Sequence, residues 1–223
     1  MSAGGGGVGP CIVLGSGAQG RVTLEVWRAA RPNARFVLLD DDPRTHGQVV
    51  LGVKVEGPFE RARELGGEAI IALGNNAVRL AVAKKLEGSV TWGNAVHPSA
   101  VVMPSATLGQ GSVVFAGAIV NTGAAIGAHV IVNTGVILEH DAVLGDAASV
   151  SPGTTSGGRI VLGEGTFIGA GVTLAPRVKV GAWSVVGAGA VVTSDLPERV
   201  LAYGVPARVR REIDESFDWR RLL

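Results

Sequence analysis

The chain has 223 residues, room for one large or two small domains, and its 20 Lys and Arg against 19 Asp and Glu exclude a general nucleic-acid or polyanion binder. Its single cysteine, Cys11, excludes an internal disulfide, and no apolar run approaches the roughly 20 residues of a membrane span, so we expect a cytoplasmic protein. Glycine is abundant, at 34 residues, while 47% of the chain is hydrophobic, which disfavours disorder and favours a repeat with small residues at its corners.

The first predicted elements form a phosphate-binding motif. An apolar strand from Cys11 runs into a glycine-rich loop, followed by a helix over residues 21–30 and a strand over 35–39. The glycines permit a tight turn, and the helix N-terminus offers free N–H groups to phosphate oxygens. Carboxylates after the second strand are placed to accept hydrogen bonds from ribose hydroxyls or base N–H groups. The loop is Gly15, Ser16, Gly17, Ala18, Gln19 and Gly20, and the carboxylates are Asp40, Asp41 and Asp42.

The size of this unit argues against a dinucleotide-dependent dehydrogenase. A strand over 49–55, a helix over 58–65, a strand over 68–73 and a helix over 76–86 complete only half of a doubly wound domain. Such a unit can bind one nucleotide, but it has no second half for a nicotinamide and a substrate. Asn75, which precedes the last helix, either caps that helix or contacts a ligand, and the sequence favours neither.

Hydrophobic residues then recur every six positions from Val96 to Val192. Sixteen of the seventeen positions in this register are Val, Ile or Leu, and the exception is Ser156. Neither a helix nor a plain strand has this period, whereas a parallel β-helix does, with 18 residues in each triangular coil. The aliphatic residues then point inward and stack about 4.8 Å apart, while small residues and glycines let the backbone turn at the corners. Residues 95–194 therefore predict between five and six coils.

His140 is the best candidate for a catalytic base, because it alone of the four histidines has acids on both sides. Its imidazole can take a proton from an attacking amine or hydroxyl at neutral pH. Residue 158 lies one coil further, so we expect Gly158 beside His140, where its N–H can donate to a thioester oxygen as negative charge develops. The break in the register at Ser156 falls in the same stretch, and broken local rules are typical of functional sites.

The order of the motifs resembles one family across nearly the whole chain, from Cys11 to Arg208. The matching segments are GSGAQGRV, LLDDDP, GNNAVR, HPSA, NTGVILEHD and GVPAR. Together with the hexapeptide coils they resemble the bacterial sugar O- and N-acetyltransferases, which include the sialic acid O-acetyltransferases and the nucleotide-amino-sugar N-acetyltransferases of the bacillosamine and perosamine kind. The resemblance implies an α/β Rossmann-like half-domain followed by a left-handed parallel β-helix, and it alone supplies the handedness.

We expect four parts in the chain. The first residues hold four consecutive glycines and lack the basic and apolar pattern of a targeting peptide, so they are expected to form a flexible leader. The expected parts are the leader (1–9), a Rossmann-like nucleotide-sugar-binding domain (10–93), a left-handed β-helix acetyltransferase domain (94–196) and a C-terminal loop or helix tail (197–223).

The resemblance also implies a site shared between subunits. His140 is the general base, Asp141 orients it, and acetyl-CoA is a co-substrate that lies between the β-helices of neighbouring subunits in a homotrimer. The first domain holds the nucleotide of the sugar substrate, and no metal ligand and no permanent cofactor are implied. The substrate-binding residues are Gly15, Ser16, Gly17, Gln19, Asp40, Asp41, Asn75 and Asn133, and the acetyl-CoA-binding residues are Gly158, Ala170, Ala188 and Arg208.

We therefore expect an N-acetyltransferase that acts on the amino group of a nucleotide-linked (4-)amino-deoxy sugar, by direct attack and without an acyl-enzyme. Many family members have a histidine where this chain has Gln19 and another where it has Ser149, which leaves the acceptor sugar open. One alternative is O-acetylation of a sialic acid or related sugar with the same base. Others are a non-catalytic nucleotide-sugar-binding protein and a zinc-dependent γ-type carbonic anhydrase, which would need three convergent His ligands.

Overall fold

A computed structural model describes residues 9–214 and Phe217, which form an α/β unit followed by a parallel β-helix. The expected leader, apart from Gly9, lies outside the described residues, as do residues 215–216 and 218–223 of the expected tail. The longest helix has 13 residues, and no helix in the described part is long and apolar enough to cross a membrane.

The α/β unit contains a parallel sheet, three α-helices and a small hairpin. In chain order its elements are β1 (Cys11–Leu14), α1 (Ala18–Ala30), β2 (Phe36–Leu39), a 3-10 turn (Pro43–Thr45), β3 (Val49–Val50), β4 (Val53–Lys54), a second 3-10 turn (Phe59–Arg61), α2 (Ala62–Leu65), β5 (Glu68–Ile71), α3 (Asn76–Lys85) and β6 (Thr91–Trp92). The strands lie in the order β2-β1-β5-β6. Alternate strand residues face two cores, and one of these cores, around Trp27, continues into Ala95, Val113 and Ile131 of the β-helix.

Two predicted elements of the α/β unit are wrong in detail. Residues 49–55 form the antiparallel hairpin β3–β4 and not one strand, because Leu51 and Gly52 both have positive φ (49° and 77°) and turn the chain back. Residues 58–65 form a 3-10 turn and then the single turn of α2, not one continuous helix. The other predicted strands and helices of this unit lie within three residues of their predicted bounds, and β6 is an additional strand that was not predicted.

The β-helix begins at Ala95 and contains seventeen strands of two residues each. They are β7 (Ala95–Val96), β8 (Val101–Val102), β9 (Thr107–Leu108), β10 (Val113–Val114), β11 (Ile119–Val120), β12 (Ala125–Ile126), β13 (Ile131–Val132), β14 (Ile137–Leu138), β15 (Val143–Leu144), β16 (Ser149–Val150), β17 (Thr155–Ser156), β18 (Val161–Leu162), β19 (Phe167–Ile168), β20 (Thr173–Leu174), β21 (Lys179–Val180), β22 (Val185–Val186) and β23 (Val191–Val192). Each strand pairs in parallel with the strand three places further along the chain, which is 18 residues away. This pairing confirms the predicted coil length.

The strands form three faces of a triangular prism. The first face contains β7, β10, β13, β16, β19 and β22, the second β8, β11, β14, β17, β20 and β23, and the third β9, β12, β15, β18 and β21. We name the corners between them the first–second, second–third and third–first edges. The second residue of each strand points inward, and these residues pack into one core, as the hexapeptide register predicts.

Corner glycines occupy two positions with different roles. The glycine directly after an inward residue abuts the next coil, and a Cβ on Gly145 would lie 2.6 Å from the Glu164 nitrogen. From residue 111 to residue 189, left-handed backbone occurs instead at the third residue after each inward one, at Gly135 but also at His129 and Asp141. Glycine at the first position therefore serves close stacking of the coils on the third–first edge, where all five corners have it, while the turn itself also accepts other residues.

The predicted loop or helix after residue 196 is wrong over residues 200–212. Here β24 (Val200–Tyr203) pairs in parallel with β22, and β25 (Arg208–Glu212) pairs antiparallel with β24. Val200 and Ala202 are buried against the core of the last coil. The strand β24 therefore covers apolar surface that the open end of the prism would expose to water.

Candidate active site

His140 lies on the second–third edge, in the corner between β14 and β15. Its Nδ1 is 2.9 Å from the Asp141 Oδ2. Because an ionised carboxylate only accepts hydrogen bonds, Nδ1 carries the hydrogen and the Nε2 lone pair is left free to accept a proton. The Nε2 lies over Gly158, where a Cβ would be only 2.3 Å from it. Gly158 is thus beside His140, as the 18-residue spacing predicts, and its missing side chain makes room for the ring.

Asp141 is fixed toward His140 by its own backbone and by its neighbours in the adjacent coils. It has left-handed backbone (φ 58°), and Arg159, one coil further, donates from Nε to the same Oδ2 at 3.5 Å. The hydrogen bond from His140, and after it that from Arg159, lowers the pKa of Asp141 below its ordinary value. Gly123, one coil before, leaves space for the other oxygen, because a Cβ there would lie 2.7 Å from Oδ1. Asp141 is therefore ionised at neutral pH and able to orient the imidazole.

Ser156, the exception in the inward register, supports the backbone of this corner. Between other coils, the N–H after an inward residue donates to the inward residue of the next coil, as the Asn121 N–H does to the Leu138 oxygen (2.9 Å). At the His140 corner, the Glu139 N–H instead donates to the Ser156 hydroxyl oxygen at 3.2 Å. An aliphatic side chain offers no such acceptor. The polar residue thus bonds to the segment that carries His140.

The glycine-rich loop and the acids after β2 meet at one end of the α/β unit. Gly15 has positive φ (117°) at the end of β1, and Gly17 is the N-cap of α1. The Ser16 N–H and hydroxyl both donate to the Asp40 Oδ2 at 2.7 Å. Asp41 is exposed, and its Oδ1 accepts a hydrogen bond from the Phe59 N–H. Its Oδ2 has no hydrogen-bond partner among the described residues. The predicted nucleotide-binding residues therefore lie together, with Asp40 tying the loop to β2.

A cavity of about 150 Å³ lies where the α/β unit meets the first–second edge. It is lined by Gln19 and Gly74 from the α/β unit and by Asn133 and Ser149 from the β-helix, among others. The two positions where the family often has histidine therefore share one cavity with Asn133. Asn75 does not line it; its side chain accepts from the Val78 N–H (3.1 Å), which supports the capping interpretation of this residue.

A second cavity, of about 440 Å³, lies further along the same edge and is lined by Ala170 and Ala188. Ser151 and Phe167 line both cavities, so the two adjoin. Arg208 lies in β25, at the far end of this edge. It is in register with Tyr203 of β24, and the side chain of Tyr203 packs against Gly187, which lines the second cavity. The predicted acetyl-CoA residues other than Gly158 therefore follow one edge.

The structure does not bring all predicted site residues together within one chain. His140, Asp141 and Gly158 lie on the second–third edge, whereas Asn133 and Ala170 lie on the first–second edge. The second face separates the two groups. One chain therefore carries two half-sites on different edges of the prism.

Arg79 is an interdomain residue that the sequence reasoning missed. It lies on α3, is fully buried, and donates to the oxygens of His129 (2.9 Å), Ala147 (2.8 Å) and Leu73 (2.7 Å). It also donates to the hydroxyl of Ser149 at 2.9 Å, which places Ser149 in this network. Burial lowers the pKa of Arg79 to about 9, so it stays charged at neutral pH. The sequence signals for Arg79 are a cation within the otherwise apolar stretch AVRLAVA and its place at the end of the matching segment GNNAVR.

Arg79→Met is expected to lower the free energy of unfolding by about 3 kcal/mol or more, because several buried carbonyls lose their donor. Urea denaturation measures the change. Lys84→Met, an exposed cation on the same helix, is the matched control and should change the free energy by less than about 0.5 kcal/mol. Equal effects of the two substitutions would contradict the role given to Arg79.

His129, on the third–first edge, makes the stability of the protein sensitive to acid. Burial, and after it the positive charge of Arg79, lowers the pKa of His129 to about 4. An unfolded histidine has a pKa near 6.5, so the unfolded chain binds the extra proton first as pH falls. We expect the free energy of unfolding to fall by about 3 kcal/mol between pH 6.5 and 4. His129→Asn, which tolerates the left-handed backbone, should flatten this dependence in urea titrations at each pH.

No group of three His, Cys, Asp or Glu side chains in the described part of the chain converges as a metal site requires. The carbonic anhydrase alternative therefore lacks its ligand set within those residues.

Two family models match the chain. The model of the PglD N-terminal domain matches residues 11–86, and the model of the bacterial transferase hexapeptide (six repeats) matches residues 159–194. Among curated proteins, no sequence matches significantly.

Several solved structures are similar over most of the chain. One is a mutant of the perosamine N-acetyltransferase from Caulobacter crescentus in complex with CoA and GDP-perosamine, with 36% identity over 92% of this chain and 99% of that chain and a TM-score of 0.86. Another is the acetyltransferase domain of PglB from Neisseria gonorrhoeae in complex with acetyl coenzyme A, with 33% identity, coverage of 92% and 100%, and a TM-score of 0.84. WeeI from Acinetobacter baumannii, at 24% identity, coverage of 90% and 99% and a TM-score of 0.83, shares the fold.

Proposed function

The chain belongs to the bacterial sugar O- and N-acetyltransferases with a left-handed hexapeptide β-helix, and we propose that it transfers acetyl from acetyl-CoA to the amino group of a nucleotide-linked 4-amino-deoxy sugar. The observation that carries this proposal is the His140 corner. A histidine held by an ionised carboxylate through Nδ1 presents the Nε2 lone pair beside a glycine that has no side chain to obstruct a substrate.

The His140 Nε2 accepts a proton from the sugar amine as the amine nitrogen attacks the thioester carbon. Asp141 stabilises the imidazolium that forms. The Gly158 N–H has no hydrogen-bond partner among the described residues, so it is available to the thioester oxygen as negative charge develops on it. The carbon–sulfur bond then breaks, the thiolate leaves as CoA and takes the proton from His140, and the amide remains on the sugar.

We propose that three subunits complete the site, because the two half-sites flank the second face. The outward residues of that face are Val101, Ile119 and Ile137 in successive coils, then Thr155, Thr173 and Val191, and the apolar part favours contact with other subunits. If the second face of each subunit points to a threefold axis, the second–third edge of one subunit meets the first–second edge of the next. His140 and Asn133 belong to the same coil, so rotation about an axis parallel to the prism brings them to similar heights.

In this arrangement, the nucleotide lies on the α/β unit and the sugar points toward the shared site. Phosphate oxygens near Gly15 and Gly17 would accept from the N–H groups at the start of α1, while Asp41 has an oxygen available for a base or ribose donor. The amine end then passes the cavity of Gln19 and Asn133. Acetyl-CoA follows the adjoining cavity of Ala170 and Ala188, and Arg208 lies where its phosphates emerge.

We place this reaction in the cytoplasm and in glycan biosynthesis. The one cysteine, Cys11, is a buried thiol in the α/β unit, far along the chain from His140, so the proposed chemistry needs no disulfide and no acyl-enzyme.

Release of free thiol from acetyl-CoA, measured with UDP-, GDP- and dTDP-linked 4-amino sugars, tests the proposal. We expect release with at least one of them and release roughly 10²–10⁴-fold slower with His140→Ala. Release only with free sugar hydroxyls would establish O-acetylation instead. No release with any acceptor, together with nucleotide-sugar binding by calorimetry, would show a binding protein.

A further inference from the structure

The second–third edge has charged residues beside His140. Asp141, Arg159 and Arg177 occupy the same corner position in three successive coils, all with left-handed backbone (φ 58°, 63° and 66°). On the first–second edge, the same position is glycine in five coils: Gly117, Gly135, Gly153, Gly171 and Gly189. Left-handed backbone is strained for a residue with a Cβ, so the arginines stand where glycine would be easier.

Arg159 is bonded to both residues of the His140–Asp141 pair. Its Nε lies 3.5 Å from the Asp141 Oδ2, the oxygen that also accepts from the His140 Nδ1. Its backbone N–H donates to the His140 carbonyl oxygen at 2.9 Å. Arg177 holds the equivalent backbone bond, to the Gly158 oxygen, but makes no contact with Asp141 among the described residues.

The other groups around His140 leave Arg159 as the single cation in contact with the pair among the described residues. Glu139, on the same corner, bonds through Oε2 to the His140 N–H and to the Asn121 amide. The preceding coil presents Thr122 and Gly123, which are uncharged. In the proposed trimer, the facing first–second edge carries only uncharged residues at 133–135, 151–153 and 169–171.

We propose that Arg159 is a positioning residue that acts through Asp141 and sets how strongly this carboxylate favours the imidazolium form of His140. This inference rests on the proposed function. Arg159 competes for Oδ2 and places a positive charge near the imidazole, so it opposes protonation of the base in the resting enzyme. It also holds the carboxylate in the orientation that keeps Nδ1–H bonded and Nε2 available.

The pH dependence of kcat/KM for acetyl transfer tests this role. In Arg159→Gln, the acid limb of the profile is expected to move to higher pH by about 0.5 unit. The reason is that the Asp141 carboxylate then interacts with the imidazolium alone and no longer with a second cation. Arg159→Lys keeps the charge and should restore most of the wild-type profile. Arg177→Gln has the same backbone strain without the contact, and its profile should match wild type. The shift should shrink in 1 M salt, since the groups are exposed.

An NMR titration of the His140 imidazole, assigned by its absence in His140→Ala, reads the same effect without turnover. Its midpoint should move in the same direction and by the same amount in Arg159→Gln. If the wild type acetylated no sugar, the proposed function would be wrong. The titration of His140 would then decide the role of Arg159 on its own. An unchanged titration and profile in Arg159→Gln, or equal shifts in Arg177→Gln, would overturn the inference.

Discussion

Gly158→Ala is expected to lower kcat by roughly 10²-fold or more while the protein keeps its fold. A methyl group at this position would lie 2.3 Å from the His140 Nε2 and 2.6 Å from Cε1, so the ring must move. Displacement of a catalytic group by about 1 Å can cost a factor of this size. Gly158 does not have positive φ, so alanine fits its backbone. The backbone N–H is retained, and the loss therefore reports the position of the base and not the oxyanion donor.

The thermal midpoint of Gly158→Ala should stay within a few degrees of wild type, because the obstructing neighbour is a half-exposed side chain and not the core. His140→Ala provides the matched background. In that variant the added methyl has no ring to displace, so Gly158→Ala should cause little further loss. If Gly158→Ala alone retained more than a third of the wild-type kcat, the imidazole would not act from its present position.

Co-expression of two inactive variants is expected to restore about a third of the wild-type activity in trimers that contain both. His140→Ala removes the base from the second–third edge, and Ala188→Trp fills the acetyl-CoA cavity on the first–second edge. Each homotrimer then lacks one half of every site. In every trimer that contains both variants, one of the three interfaces pairs the intact edge of one variant with the intact edge of the other.

Differently tagged subunits, purified through both tags, provide the mixed trimers for this measurement. Mixing the purified homotrimers without subunit exchange is the control and should restore nothing. A second control is a double variant, with both substitutions in one chain, co-expressed with wild type. In these mixed trimers only an interface between two wild-type subunits should be active. Absence of recovery in verified mixed trimers would mean that each site lies within one subunit.

Much of the β-helix could be predicted from the sequence because its core allows little choice. A side chain that points into a narrow prism must be aliphatic in each hexad, so the residues from Val96 to Val192 reveal every strand. The 18-residue coil then predicts neighbours across the chain, which is how Gly158 was placed beside His140. The handedness depends on the family resemblance, since the register is the same for either hand.

Other parts of the site leave weaker traces in the sequence. The partners of Arg79 are mostly backbone carbonyls, which every residue possesses, so no pattern of side chains marks them as acceptors. The strand β24 covers a single coil, so its residues do not recur at a fixed spacing that would reveal it in the sequence. The separation of the two half-sites was accessible, however, because Asn133 and His140 follow inward residues of successive hexads and so lie at successive corners.

In the proposed arrangement, the coils of the β-helix also set the distance between the two ends of the bound acetyl-CoA. Three coils separate the corner of Asn133 from that of Ala188, a rise of about 14 Å along the axis. Insertion of one whole coil, 18 residues, between the corners of Gly158 and Ala188 would preserve the hexapeptide register and the stacking of His140 on Gly158. It would nevertheless increase the separation of Arg208 from His140 along the axis by about 4.8 Å. The number of coils between the reacting corner and the phosphate end thus limits which carriers of the acyl group the enzyme can accept.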